Sequence, residues 1–497
     1  MNRPLVPGPQ TPSEANGFGR LPDSAEITGF LRRLAERFPR AACFNAGSSQ
    51  GGRPITAVAL SRDPAALRDR RAVSAKPTVL IIGSQHGDEA SGCEALTMLV
   101  RDIAQGGNEE LLDAFDLVCI PLSNPDGRDL RRRGNGGDVN LAIDFLLQSQ
   151  PETRAVTALL LELRPAIVLD VHETPAFKRG LAESGFLSGL ETQIDVPNNP
   201  NIDPGLLGLG EHILLPSLLR RLDDAGLEAT RYYGEVNRLD TVAIQGGPAL
   251  RTLRNYAALG GAVSLLLENR RDPPEGAYAT PENIRHRTER QYRAIGAMLE
   301  ELRGAKAAIA SVVDAAREGA RRAAPGDAVV LNEEFAADPA RPTVELPLEP
   351  LAGGPPVLRP FPYRPKVVPM LSIRLPAAYC LAAHHRMLGS LLRRHGFEPR
   401  RVRRPREVAA TIVQASAPAR REGAGDAPMT GTRRRLNLRP GDLVVNTRQP
   451  GAALLPLLLD PRSPHCVFLS PPYSVLLGGV ETAIVGTLES LPEDLFD

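Results

Sequence analysis

Apolar and polar positions divide the chain into segments of different period. Residues 1–23 are rich in Pro, Gly and Ser and predict a loose start. Ala25–Phe38 then sets Ile27, Leu31, Leu34 and Phe38 at helical spacing, and Ile55–Leu60 reads as a strand. Four short, mainly apolar runs follow: Thr78–Gly83 (TVLIIG), Asp116–Leu122 (DLVCIPL), Ala166–Val171 (AIVLDV) and Ala262–Leu267 (AVSLLL). Such runs fit strands covered on both faces. Between them, Glu89–Ile103, Pro151–Leu163 and Leu206–Ala225 have helical patterns. Pro281–Leu302 follows the last run, with a break before Ala305–Arg322. Strands alternating with helices predict an α/β three-layer sandwich around a mixed, largely parallel sheet.

From about residue 326 the texture changes. Strand-like runs (AVVL, TVELPL, LVVNT, CVFLS, TAIVGTL) alternate with Pro- and Gly-rich turns, and one helix is predicted over Ala378–His395. The Pro-dense stretch 348–365 reads as a linker or extended crossing. The predicted organisation is a loose segment over 1–23, a catalytic α/β domain over 24–325 and a smaller C-terminal α+β domain over 326–497, of unassigned role.

Composition narrows the partners. Lys and Arg total 59 against 58 Asp and Glu, a net charge of +1 over 497 residues. That balance argues against nucleic acid or an anionic membrane as the main partner. The arginine runs at 400–406 and 433–435 read as solvated surface. The five cysteines, at 43, 93, 119, 380 and 466, are scattered without a CxxC pair, so neither a disulfide framework nor a zinc ribbon is predicted. The first residues lack an apolar core of signal-peptide type, and no run reaches the ~18 apolar residues of a membrane span. A reduced, cytoplasmic protein is the expectation.

The chemistry-bearing residues fall just beyond the apolar runs, where open α/β sheets build their sites. In SQHGDEASG (84–92), His86 and Glu89 are three apart across a strand-to-helix turn, with Gly87 allowing it to be tight. In DVHET (170–174), His172 supplies a distant third ligand. Two close ligands plus a remote one is a common plan for catalytic zinc with an open fourth position. Glu268, in LLLENR (265–270), ends another apolar run and suits a general base acting on metal-activated water. The Gly/Asn/Arg-rich stretch SNPDGRDLRRRGNGGDVN (123–140) offers an arginine for an oxyanion and Asp138 to orient a ligating imidazole. Asp138 reads equally as a turn residue and Asn140 as a helix cap.

Taken in order, HxxE, NPDG, RRxxNGxDxN, DxHE and a strand ending in LxE resemble the M14 zinc carboxypeptidase family, with the succinylglutamate desuccinylase and aspartoacylase group as a relative. The resemblance covers about residues 25–305, including SSQGGRPITAVALS (48–61). It implies zinc held by His86, Glu89 and His172, and Glu268 as catalytic base. It also implies Arg131 (Arg132 as the fallback) polarising the scissile carbonyl, Asp138 behind a ligand, and Asn140 at the substrate's terminal carboxylate. The implied activity is hydrolysis of a peptide or amide bond.

Two departures stand out. Where the family pairs Asn with a carboxylate-clamping Arg, this chain has Asn140-Leu141, and leucine cannot make a charge-assisted pair. The family's mobile tyrosine also has no clear match, with Tyr256 nearer to Glu268 than expected and Tyr232 and Tyr233 farther back. Arg251 and Arg254 are the positional candidates for carboxylate recognition. Three functions stay open: a peptidase acting on a peptide C-terminus, a deacylase of an N-acyl amino acid, and a catalytically altered metal-binding protein.

Overall fold

The structure, a computed structural model, describes residues 8–68, 76–271, 281–381, 385–415, 429–474, 486–490 and 495. The first strands in chain order are β1 (Ala41–Ser48), β2 (Pro54–Leu60), β3 (Thr78–Gly83), β4 (Asp116–Ile120) and β5 (Ile167–Pro175). Then come β6 (Phe186–Ser188), β7 (Thr192–Asp195), β8 (Ala229–Arg231), β9 (Ala243–Ile244) and β10 (Val263–Arg271). Eight of these form one sheet, in the order β1-β2-β4-β3-β5-β10-β7-β8. The centre, β4-β3-β5-β10, is parallel, and antiparallel pairs flank it at β2–β4 and β10–β7.

The apolar runs are two-faced because successive side chains point to opposite sides. Val79 and Ile81 of β3 enter one cluster, with Leu96, Leu99 and Leu302 of the helices Ser91–Ala104 and Pro281–Gly304. Leu80 and Ile82 enter the other, with Val156 and Leu159 of the helix Pro151–Leu163. This is the three-layer α/β/α arrangement that the pattern predicts. The helix expected over Ala25–Phe38 spans Ser24–Arg37 and starts on a capping box: Asp23 accepts from Glu26 N at 2.8 Å, and the Glu26 carboxylate accepts from Asp23 N at 2.9 Å. Residues 8–23, read as loose, include the short helix Pro12–Ala15, whose buried Ser13 donates to Glu94 at 2.5 Å.

The C-terminal region adds β11 (Ala328–Ala336), β12 (Thr343–Pro350), β13 (Val357–Arg364), β14 (Lys366–Arg374) and β15 (Ala378–Leu381). It continues with β16 (Arg400–Arg401), β17 (Arg406–Ala415), β18 (Met429–Leu438), β19 (Leu443–Asn446) and β20 (Gly486–Leu488). A six-stranded sheet has the order β16-β19-β15-β20-β17-β18. Three expectations change here, the first being that the run CVFLS holds a single turn of 3-10 helix, Val467–Leu469, in place of a strand. Ala378–Leu381 is a buried strand between β19 and β20, and the helix begins only at His385. A short apolar run fits either state, and pairing on both edges decides for strand. The stretch read as a linker at 348–365 is the β12–β13 hairpin. Pro360 and Pro362 lie in β13, which pairs with β9 only at Tyr363 and Arg364, so most of its other edge is free for residues without an N–H. His384 lies outside the described residues.

The two regions share structure. β12 pairs with β6 and β13 with β9, giving the sheet β6-β12-β13-β9. Tyr379, Leu388, Leu391 and Leu455 join the same apolar cluster as Leu80 and Leu159. Among the described residues, no helix is long and apolar enough to cross a membrane. All five cysteines are free, and Cys93 is core, as its helical position suggests.

His395 is the polar pin of this shared cluster. Its Nε2–H donates to Leu146 O at 2.9 Å, and its Nδ1 accepts from Tyr256 Oη at 2.8 Å and Gln148 Nε2 at 3.1 Å. Burial lowers its pKa from 6.5 to about 4; the bond to Leu146 O opposes the shift, and Arg394 reinforces it. The unfolded chain therefore binds this proton first as pH falls. The His395 contribution is complete above 6.5 and is lost between 6.5 and about 4. Urea unfolding across that window should show wild type losing about 3 kcal/mol more than His395→Gln; equal losses would mean that His395 titrates as an exposed imidazole.

Candidate metal centre

Parallel strands β3, β5 and β10 lie side by side, so the residues at their carboxyl ends converge. β3 runs into Ser84, held at φ 52°, whose hydroxyl donates to Glu89 O at 3.0 Å. This closes the turn that carries His86 and Glu89. Gly87 packs directly on the backbone of the next loop: a Cβ there would lie 2.0 Å from Gly127 C and 2.4 Å from Arg128 N. Its N–H donates to Arg133 O at 3.2 Å. Tight approach, not unusual φ, is what requires glycine here.

His86, Glu89 and His172 are all buried, and each offers a ligand atom within 4.8 Å of the others. Nδ1 of His86 lies 2.8 Å from Glu89 Oε1, Nδ1 of His172 lies 2.9 Å from Glu89 Oε2, and the two Nδ1 atoms are 3.2 Å apart. The far sides of both rings are occupied. His86 Nε2 faces Asn140 Oδ1 at 2.9 Å, and His172 Nε2 faces Asp170 Oδ1 at 3.0 Å. Both partners accept, so each Nε2 carries a hydrogen, and each Nδ1 faces Glu89 and the other ring, able to give a lone pair to an ion or, when protonated, a hydrogen bond to the carboxylate. Acceptors crowded together in this way fit a cation between them. Burial works against the Glu89 charge, but the two imidazoles outweigh it and hold its carboxyl well below the ordinary value.

The surroundings are charged and pinned. Arg133 Nη1 donates to Glu89 Oε1 at 2.8 Å, and Glu173 N donates to Oε2 at 3.1 Å. The Glu173 carboxylate accepts from Ser91 N, at the start of the following helix, and from Arg287. Glu268 is the register partner of His172 and is half-buried, with its Oε2 enclosed and lacking a hydrogen-bond partner. Burial raises its pKa to about 8, opposed by His172 and reinforced by Glu89 and Glu235. Tyr232 is also here, its hydroxyl raised well above the ordinary value by burial and by the Glu268 carboxylate.

Several sequence expectations land elsewhere. Arg131 is exposed at a left-handed helix C-cap with φ 51°, and Arg132 donates to Asn135 O and Gly136 O. Arg133 is the arginine at the cluster. Counting back from Asn140 presumed a fixed loop length, which the compact turn at 133–139 does not keep. Asp138 is an exposed turn residue at φ 61°, and Asp170 takes the role expected of it behind a histidine. Asp170 was legible, standing two residues before His172 and so on the same face of β5. Asn140 backs His86 and also caps the short helix Leu141–Ile143 by accepting from Ala142 N. Leu141 is buried. Arg251 is exposed. Arg254 is buried against Asp195, with Nη2 donating to Gly247 O at 2.9 Å and Nε unpartnered. Tyr256 is committed to His395, on the other side of the sheet.

Residues 27–140 match the family model described as zinc carboxypeptidase. Carboxypeptidase 2 of Trichophyton rubrum is 27% identical over 277 residues, which are 54% of this chain and 51% of that protein. Carboxypeptidase SOL1 of Arabidopsis thaliana is 29% identical over 144 residues, 26% of this chain and 28% of that one. The chain thus matches about half the length, or less, of these curated relatives. Among solved structures, carboxypeptidase A from Helicoverpa armigera aligns with TM-score 0.44 at 18% identity, covering 58% of this chain and 75% of that one. The chain is thus similar to the M14 zinc carboxypeptidases over part of its length, the likeness that the ordered motifs imply. The matched segment contains His86, Glu89 and Arg133, and ends at Asn140, before His172 and Glu268.

Removing Arg254 would leave Asp195, which is fully buried, facing only Arg231 at 3.3 Å and Gly246 N at 3.0 Å. Arg254→Ala should therefore destabilise the fold by about 3 kcal/mol in chemical denaturation, as loss of one partner of a buried pair does; a loss below about 0.5 kcal/mol would mean that Arg231 alone neutralises Asp195.

Proposed function

We propose that the chain is a metal-dependent hydrolase of the metallocarboxypeptidase type, cleaving a peptide or amide bond. The observation that carries this reading is the convergence of two imidazole lone pairs and one carboxylate beside the unpartnered carboxylate of Glu268. His86, Glu89 and His172 would hold the ion, and zinc suits this donor set. The chemistry such an ion supplies when bound is Lewis acidity.

The residues of the chain do the rest. Glu268 takes a proton from the attacking water and returns it to the departing nitrogen. Its second oxygen has no competing hydrogen bond, so it is free to receive that proton. Arg133 is half exposed and anchored on Glu89, which leaves its guanidinium able to meet negative charge developing on the scissile carbonyl oxygen. Asn140 and Asp170 hold the two rings in the tautomer that points Nδ1 inward. The Glu173–Arg287 pair fixes the end of β5 against the start of the helix Ser91–Ala104.

Recognition of a substrate carboxylate is the weaker half of the exopeptidase reading. Leu141 offers no charge, and Arg254 is already neutralised by Asp195. Hydrolysis of an amide without a strict terminal-carboxylate requirement fits these two residues better. A substrate pair with free and amidated C-termini separates the two, and a panel of N-acyl amino acids tests the deacylase alternative.

Elemental analysis of the purified chain should find about one zinc per chain, lost in His86→Ala/His172→Ala. No metal after reconstitution would sink the reading. On a cleaved substrate, Glu268→Gln should lower kcat by about 10²–10⁴-fold and Arg133→Ala by about 10²-fold, whereas Arg131→Ala leaves it unchanged. Asp170→Ala should weaken metal affinity by about 10–100-fold in a chelator competition.

A further inference from the structure

The strands that end at the metal centre begin, at the opposite edge of the sheet, on a cavity of about 250 Å³. Pro165 precedes β5 and Ala262 precedes β10, and both line it. Seven steps along the extended chain separate Pro165 from His172, about 23 Å. The cavity is therefore distinct from the candidate metal centre. Three parts of the chain build it. The helices Pro151–Leu163 and Leu253–Leu259 contribute Leu160 and Leu259, the helix Lys306–Arg322 contributes Ala320, and the C-terminal region contributes Phe397 and Leu454. Its walls are thus mostly aliphatic. The polar atoms of His395 and Tyr256 that reach it are already satisfied by each other, Gln148 and Leu146 O.

One polar group in the lining is not satisfied. Arg317 donates through Nη2 to Arg164 O at 2.8 Å and Pro165 O at 2.7 Å, while its Nε is buried without a hydrogen-bond partner. No carboxylate lies within ion-pair distance of it among the described residues. Arg164 and Arg321 also line the cavity, and Arg321 is paired with Glu318 at 3.3 Å. Burial and the Arg164 charge lower the Arg317 pKa to about 10, with Asp314 only partly offsetting them. A half-buried cation beside another cation is what an anion would stabilise.

We propose that this cavity is a binding site for an aliphatic monocarboxylate, with the carboxylate on Arg317 and the alkyl chain among Leu160, Leu259, Ala320, Phe397 and Leu454. One half-buried guanidinium without an ion-pair partner among the described residues matches one negative charge. The volume, below the roughly 300 Å³ at which drug-sized sites begin, matches a short or medium alkyl chain. Apolar walls with one placed charge fix which end of such a molecule goes where.

Calorimetric titration of the full chain with octanoate, octanol and octylamine tests this. Octanoate should bind, with octanol weaker by about tenfold or more and octylamine not binding, because a hydrogen bond to a charged group is at stake. Arg317→Gln should remove the preference for octanoate over octanol. Ala320→Phe, which fills the cavity from a helix surface, should abolish octanoate binding without touching Arg317. His86→Ala/His172→Ala should leave octanoate binding intact. Equal binding of octanoate and octanol, no binding of octanoate, or its persistence in Ala320→Phe would overturn the proposal. Loss of binding in the histidine variant would instead assign the carboxylate to the metal centre, also overturning it.

Discussion

The carboxyl end of the central sheet is organised around the Glu89 carboxylate. It touches both imidazoles, accepts from Arg133 and from the backbone of Glu173, and is buried throughout. A charge in that position is tolerated only because every lone pair has a partner. His172 and Glu173 come from β5, Arg133 from the loop that ends at Asn140, and His86 from the same turn as Glu89. The sheet order that sets β3 beside β5 and β5 beside β10 is therefore not incidental to the site. Displacing β5 would remove the His172 and Glu173 contacts and leave the Glu89 charge to His86 and Arg133 alone.

The same sheet explains why the C-terminal region is inseparable from the rest in packing terms. One face of β3 and β5 is covered by the helices Ser91–Ala104 and Pro281–Gly304. The other is only partly covered by Pro151–Leu163 and Leu253–Leu259, and the strands and helices beyond residue 326 extend that cluster. His395, buried and fully hydrogen-bonded, fixes the register of this packing against Leu146 and Tyr256. The region also reaches the site end of the molecule: Arg270, two residues past Glu268, pairs with Glu349 of β12 and with Glu191. The β12–β13 hairpin builds a sheet there with β6 and β9.

The two ends of β5 and β10 carry opposite chemistry. At the carboxyl ends, acceptors crowd together and call for a cation. At the amino ends, Arg317 lacks a partner for its Nε and calls for an anion. The helix Leu253–Leu259 lies between these environments, with Arg254 turned to Asp195 and Tyr256 to His395.

The sequence by itself determined the α/β class and the central strands, and it singled out His86, Glu89, His172 and Glu268, which the fold brings together. It could do so because buried parallel strands demand unbroken apolar runs, and because chemistry placed at strand ends must follow those runs directly. Asp170 was legible on the same logic, two residues from His172 along a strand. What only the tertiary structure decided were residues whose roles depend on loop paths and on neighbours distant in sequence. Arg133 reaches Glu89 where Arg131 does not, because the turn at 133–139 is more compact than a count of residues suggests. Arg254 is spent on Asp195, across 59 residues of chain. Ala378–Leu381 is strand and not helix because two partners, β19 and β20, compete successfully with its local preference. Short-range pattern constrains periodicity and burial; pairing, loop closure and charge neutralisation are set by what the folded chain brings alongside.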